Sequence, residues 1–146
     1  MTEKNILLIR SVSMQQLDKN LPEVLKHFPG ARFTILTHSH HIRNCKKYRA
    51  VSDIIDYEKT GPFSPFAIPD AIKKQTFNAT VYFVSNERGY GFLNVALLAS
   101  RISKNEIYRC NMNSIIKKKS RFSIGLTLLK SILIRPLAAI ATLLFT

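Results

Sequence analysis

The sequence predicts an α/β fold: a single Rossmann-like domain with a mostly parallel sheet of about five strands, followed by a C-terminal hydrophobic helical tail. Three features predict it. Ile6 to Ile9 is an unbroken apolar run, the pattern of a parallel strand buried on both faces. Leu17, Leu21, Val24, Leu25 and Phe28 then recur at helical spacing, and Ala31 to Thr37 returns as a second strand. Ala79 to Val84, rich in β-branched and aromatic residues, supplies a clear later strand.

The elements follow in order. The first strand covers Asn5–Arg10, a polar loop runs from Ser11 to Asn20, and a helix follows from Leu21 to Phe28. Pro29 and Gly30 end that helix, one unable to continue it and the other permitting a tight reversal. His38 to Arg49 reads as a basic loop or short helix, and Ala50 to Asp56 as a third strand. A proline-bearing connection at Gly61–Phe66 leads to a short helix at Pro69–Gln75, with the proline in its first turn. Phe92 to Ala99 is a strongly apolar helix and Glu106 to Asn111 a fifth strand. Residues 1–113 form the domain on this reading and residues 114–146 the basic, hydrophobic tail.

A length of 146 residues accommodates one domain with a real core, and not the two domains of many sugar- and nucleotide-handling enzymes. The formal charge of +13 favours an anionic partner, either nucleic acid, a phosphorylated small molecule or an acidic membrane surface. Two distant cysteines, Cys45 and Cys110, do not make a disulfide scaffold and suit a reducing cytosol. The first residues lead straight into a strand, so no signal peptide is expected.

The opening Ile6–Arg10, the stretch Pro22–Thr37, the strand Val51–Tyr57 and the strand, polar loop and helix over Phe77–Asn94 resemble glycosyltransferase family 9. These are the lipopolysaccharide heptosyltransferases and their relatives, which have the two-domain GT-B fold. The resemblance covers about Asn5 to Asn111, the N-terminal, acceptor-side half of such an enzyme. It implies a role in glycolipid or cell-envelope polysaccharide assembly, with a separate chain supplying the donor-binding half. Family members carry a Gly-Asp pair in the first loop, whose Asp is the expected base on the acceptor hydroxyl. Here Gln15 and Gln16 occupy those positions, and an amide cannot serve as a general base. Asp18 lies two residues further on, and base geometry tolerates little displacement. No catalytic residue is therefore assigned, and the competing reading is a non-catalytic scaffold for envelope enzymes.

The candidate acceptor-binding residues lie at the carboxyl edge of the sheet: Ser11, Gln16, His38, Asn86, Arg88 and Asn94. Their expected task is hydrogen bonding and charge neutralisation for a sugar-phosphate or lipid-linked acceptor. The Asn86–Gly91 loop offers helix-start N–H groups for a phosphate. It is no dinucleotide fingerprint, since Asn94 stands where the third glycine belongs. His38, His40, His41 and Cys45 resemble metal ligands, but Arg43, Lys46 and Lys47 would repel a cation, so no metal or other cofactor is assigned. One basic cluster with an aromatic, Arg43 to Arg49, carries no nucleic-acid module signature, and nucleic acid is not the expected partner.

The tail is read as a membrane attachment. Lys117, Lys118, Lys119 and Arg121 precede a long apolar stretch that contains Lys130 and Arg135. Each of those two cations costs about 2.5–3.5 kcal/mol at a bilayer centre, which cancels the gain from the apolar residues, so a plain span is not expected. Pro136 splits the stretch. Before it, Ser123, Thr127, Lys130 and Ser131 make one polar face, as an in-plane interfacial helix requires. The basic residues would add about 1 kcal/mol each on an anionic leaflet. The expectation is peripheral attachment to the cytoplasmic face of the inner membrane, with packing on the sheet or on a partner protein as the competitor.

Overall fold

A computed structural model describes residues 2–145. Six strands form one sheet in the order β3-β2-β1-β4-β5-β6. They are β1 (Asn5–Ile9), β2 (Arg32–Thr37), β3 (Val51–Asp56), β4 (Ala79–Phe83), β5 (Glu106–Cys110) and β6 (Ile116–Lys119). All neighbours are parallel except β5 and β6. The helices are α1 (Met14–His27), α2 (Ile42–Cys45), α3 (Asp70–Lys73), α4 (Leu93–Ile102) and α5 (Arg121–Phe145), with a 3₁₀ turn at Ser39–His41.

Strand alternation divides β1 between two cores. Ile6 and Leu8 face α1, packing with Leu17, Leu21, Val24, Ile35 and Val81. Leu7 and Ile9 face the other side, packing with Leu36, Tyr82, Val95, Leu98 and Ile124. All four β1 residues from Ile6 to Ile9 have no exposed surface, which is why the run is uniformly apolar rather than alternating. Burial of each such side chain contributes about 1.5–3 kcal/mol.

Three expectations need correction. The stretch expected as a loop to Asn20 is mostly helix: α1 begins at Met14, where the Ser13 hydroxyl accepts the Gln16 N–H at 3.2 Å. Gln15, Asp18 and Lys19 occupy the outer face while Gln16 and Asn20 turn inward, and Pro22 sits inside the helix rather than near its start. The tail's first lysines form β6, antiparallel to β5, so the sheet continues past residue 113. Lysines suit an edge strand, because an exposed row of charges discourages further pairing. Finally, Pro136 does not divide the tail, since α5 runs through it as one helix.

The first part of α5 packs on the body. Ile124 is buried among α4 and the sheet, and the Arg121 guanidinium donates to the carbonyls of Ser100 (3.1 Å) and Ser103 at the end of α4. Further along, Leu126, Leu129, Leu133, Leu137 and Ile140 are exposed. Arg121–Leu144 is long and apolar enough to cross a membrane by length and composition.

Candidate functional site

Chain order fixes where the sheet opens. From β1 the chain winds outward through β2 to β3, then returns to β4 beside β1 and winds the other way. The crevice at the carboxyl ends of β1 and β4 is therefore the topological switch point, where α/β sheets bind ligands. A groove of about 630 Å³ lies there, lined by Arg10, Ser11, His38, His41, Phe63 and Asn94 among others.

Arg10 dominates its electrostatics. It follows the last residue of β1 and is only 8% exposed. Nε donates to Thr37 Oγ1 and Nη1 to the Val12 carbonyl, both at 2.7 Å. No carboxylate pairs with it among the described residues. Burial lowers its pKa from the ordinary arginine value, with weaker opposing effects from Cys45 and Tyr48. Two imidazoles share the groove. Burial depresses both His38 and His41, with Arg10 and His40 adding to it; at His38 the Gly61 carbonyl partly opposes the shift. His38 Nε2 lies 2.6 Å from the Gly61 carbonyl, so that nitrogen carries the proton. His41 Nδ1 is buried with no hydrogen-bond partner among the described residues.

The expected binding residues divide by location. Ser11, His38 and Asn94 line this groove. Ser11 Oγ donates to the Phe83 carbonyl and Asn94 Nδ2 to the Phe63 carbonyl at 2.7 Å. Gln16 lies outside it: its amide donates to the Val84 carbonyl at 2.7 Å and to Asn20 Oδ1 at 3.2 Å, bracing α1 against the end of β4. Asn86 organises its own loop, with Oδ1 accepting from the N–H groups of Arg88 and Tyr90 at 3.1 Å and from that of Gly89. Those N–H groups are therefore already occupied. Arg88 is in a second groove, beside α5.

The tail cations also separate. Arg121 is held by α4 carbonyls, and Lys118 pairs with Glu106 at 3.2 Å. Lys117 and Lys130 are exposed. Lys119 and Arg135 line the second groove.

Arg10 itself went unselected in the sequence, although a lone cation directly after a fully buried parallel strand is a usable signal. The groove's lining holds no Asp or Glu. Asp18 is engaged elsewhere, 2.9 Å from Lys47 Nζ and accepting from the Tyr48 hydroxyl at 2.5 Å. Those two hydrogen bonds keep its carboxyl below the usual range. The groove can therefore bind and orient an anion, but it contains no carboxylate base.

No family model and no curated protein matches the chain. Among solved structures, the chain is similar to E. coli heptosyltransferase WaaC with ADP-2-deoxy-2-fluoro heptose. The identity is 16% and the TM-score 0.49, over 72% of this chain and 36% of that one. The chain thus spans little more than a third of that protein's length.

Proposed function

We propose that this chain is a glycosyltransferase-like, acceptor-binding domain of glycolipid or cell-envelope polysaccharide assembly. It works peripherally at the cytoplasmic face of the inner membrane, with a partner chain supplying the donor-binding half. The observation that carries the reading is the unpaired, buried guanidinium of Arg10 at the switch-point groove. A desolvated cation without a counter-charge is costly, and an anionic group on the ligand would relieve that cost. His41 Nδ1 offers a second unspent polar atom in the same groove, and a sugar phosphate supplies both the charge and the hydroxyls these groups match. The sequence resemblance of residues 5–111 names the reaction class, and the exposed apolar face of α5 supports the membrane.

Because the groove contains no carboxylate base, the domain binds and orients while the partner contributes the chemistry. The same observation favours the second reading, a non-catalytic scaffold. One experiment separates them. The full chain is purified from detergent-solubilised native membranes, co-purifying proteins are identified by mass spectrometry, and binding of hexose and heptose phosphates is followed by thermal shift. A stoichiometric partner with a sugar-nucleotide domain, together with stabilisation by a sugar phosphate, supports the transferase reading. Envelope enzymes alone and no sugar-phosphate stabilisation would leave only the scaffold.

A further inference from the structure

The second groove, of about 800 Å³, lies between α5, the loop before α4 and the sheet face beneath them. Register explains its charge. Tyr82 on β4 is opposite Arg109 on β5, which is opposite Lys117 on β6, and Lys119 pairs with Ile107 on the same face. Arg109, Lys119, Arg88 and Arg135 all line the groove, and no Asp or Glu does. Arg109 spends Nη1 on the Arg88 carbonyl at 2.6 Å, but its Nε is buried with no partner among the described residues. Gly89 lets the two approach: at φ +83°, a Cβ there would lie 3.3 Å from Arg109 Cδ. Lys119 and Arg135 make no ion pair or hydrogen bond among the described residues. Burial lowers the Lys119 pKa, and repulsion from Arg109 and Lys117 lowers it further.

Tyr82 completes the set. It is 3% exposed and lines the groove, yet its hydroxyl makes no hydrogen bond among the described residues. Burial pushes its pKa up to about 12, so it remains a neutral donor. Four cations and a free O–H donor, with no acid, match a phosphate. The outer wall identifies the source. α5 turns Ser123, Thr127, Ser131 and Arg135 into the groove and leaves Leu129, Leu133 and Leu137 exposed on other faces. A groove whose outer wall is a lipid-seeking helix meets phosphate at the membrane surface.

We propose that this groove binds the terminal phosphomonoester of an anionic membrane lipid, as distinct from the phosphodiester of a zwitterionic one, with Arg109, Lys119, Arg135 and the Tyr82 hydroxyl as its ligands. The proposed ligands all lie outside the Arg10 groove, although the two grooves share Gly91, Phe92 and Asn94, and the proposal rests only on the membrane reading of α5. The test is flotation of the full chain with phosphatidylcholine vesicles containing either phosphatidate or the same charge as oleate. Wild type should favour phosphatidate, and Lys119→Gln with Arg135→Gln should lower that preference roughly tenfold or more, the effect of losing a charge-assisted hydrogen bond. Binding to neutral vesicles should not change. Lys46→Gln with Lys74→Gln, the same charge loss on exposed residues elsewhere, should keep the preference. Arg135→Gln alone, at a groove position that is itself solvent-exposed, serves if the double variant does not fold. Equal binding to oleate vesicles, or an equal loss in both double variants, overturns the site while leaving membrane attachment standing. Failure to float with any vesicle overturns both. Glycerol phosphate competing as well as phosphatidate overturns the lipid source.

Discussion

Arg10 and the two imidazoles beside it set what the switch-point groove does with charge. Replacing Arg10 with Gln removes two hydrogen bonds but also removes a buried, unpaired cation. Those effects oppose one another, so urea stability should change by less than about 1 kcal/mol while sugar-phosphate affinity falls tenfold or more. Isothermal titration and urea unfolding of the variant measure the two separately. A large stability loss with intact binding would make Arg10 a structural residue. The histidines give a pH signature. His38 faces Arg10, His40 and Asp56, and His41 faces Arg10, His38 and His40; both pKa values lie below the ordinary 6.5. As pH falls through that value the unfolded chain protonates first. The stability from these neutral imidazoles is therefore complete above about pH 6.5 and is lost progressively below it, down to the folded values. Urea midpoints between about pH 5.5 and 7.5 should show this slope, and His38→Gln with His41→Gln should flatten it. A bound anion favours the protonated rings, so ligand affinity should rise over the same interval as pH falls.

At the scale of elements, α1 carries the polar bracing of the fold. Asn20 has no exposed surface, and its Nδ2 donates to Ser114 Oγ at 2.8 Å and to the Asn111 carbonyl at 3.2 Å. It thus ties α1 to the β5–β6 turn, while Gln16 ties it to β4. Asn20→Ala should cost about 1–3 kcal/mol because it strands buried polar partners, and Ser13→Ala about 1 kcal/mol through loss of the cap. Urea unfolding checks both, and equal costs would mean that the Asn20 bonds contribute nothing beyond a cap. These contacts also show where the sequence was legible. Ile6–Ile9 announced its strand because burial on both faces leaves only apolar residues there, and Ala79–Val84 because β-branched and aromatic residues fill it, Thr80 being its one small polar residue. The first turns of α1 were hidden because Gln15, Gln16, Asp18 and Asn20 look like loop, and only tertiary partners reveal that Gln16 and Asn20 point inward. β6 was hidden because an edge strand has no hydrophobic pattern to keep. Strand and helix ends do place Ser11, His38 and Asn94 on the switch-point groove, whereas the amides of Gln16 and Asn86 are directed at the scaffold outside it.

At the scale of the molecule, the question is how far α5 can reach. Its 25 residues would extend roughly 37 Å, enough to cross a hydrocarbon core of about 30 Å. Yet its residues from Ser123 to Arg135 wall the groove, with Ile124 anchored in the core. Only Pro136 to Phe145 extends beyond that contact, roughly 15 Å at helical rise, about half the core. A helix still seated on α4 therefore enters one leaflet and stops, with Lys130 and Arg135 left near headgroup level, where their charge costs little. Cysteine labelling decides this cleanly, because Cys45 and Cys110 are both buried and contribute little background. In sealed proteoliposomes with the domain outside, an impermeant maleimide should label Lys59→Cys at once. Leu144→Cys should stay unlabelled from outside and from inside until detergent is added. Labelling of Leu144→Cys by reagent trapped in the lumen would mean that α5 crosses the bilayer. That would require the helix to leave the groove, removing the wall that carries Arg135 and separating the two halves of the lipid-phosphate site.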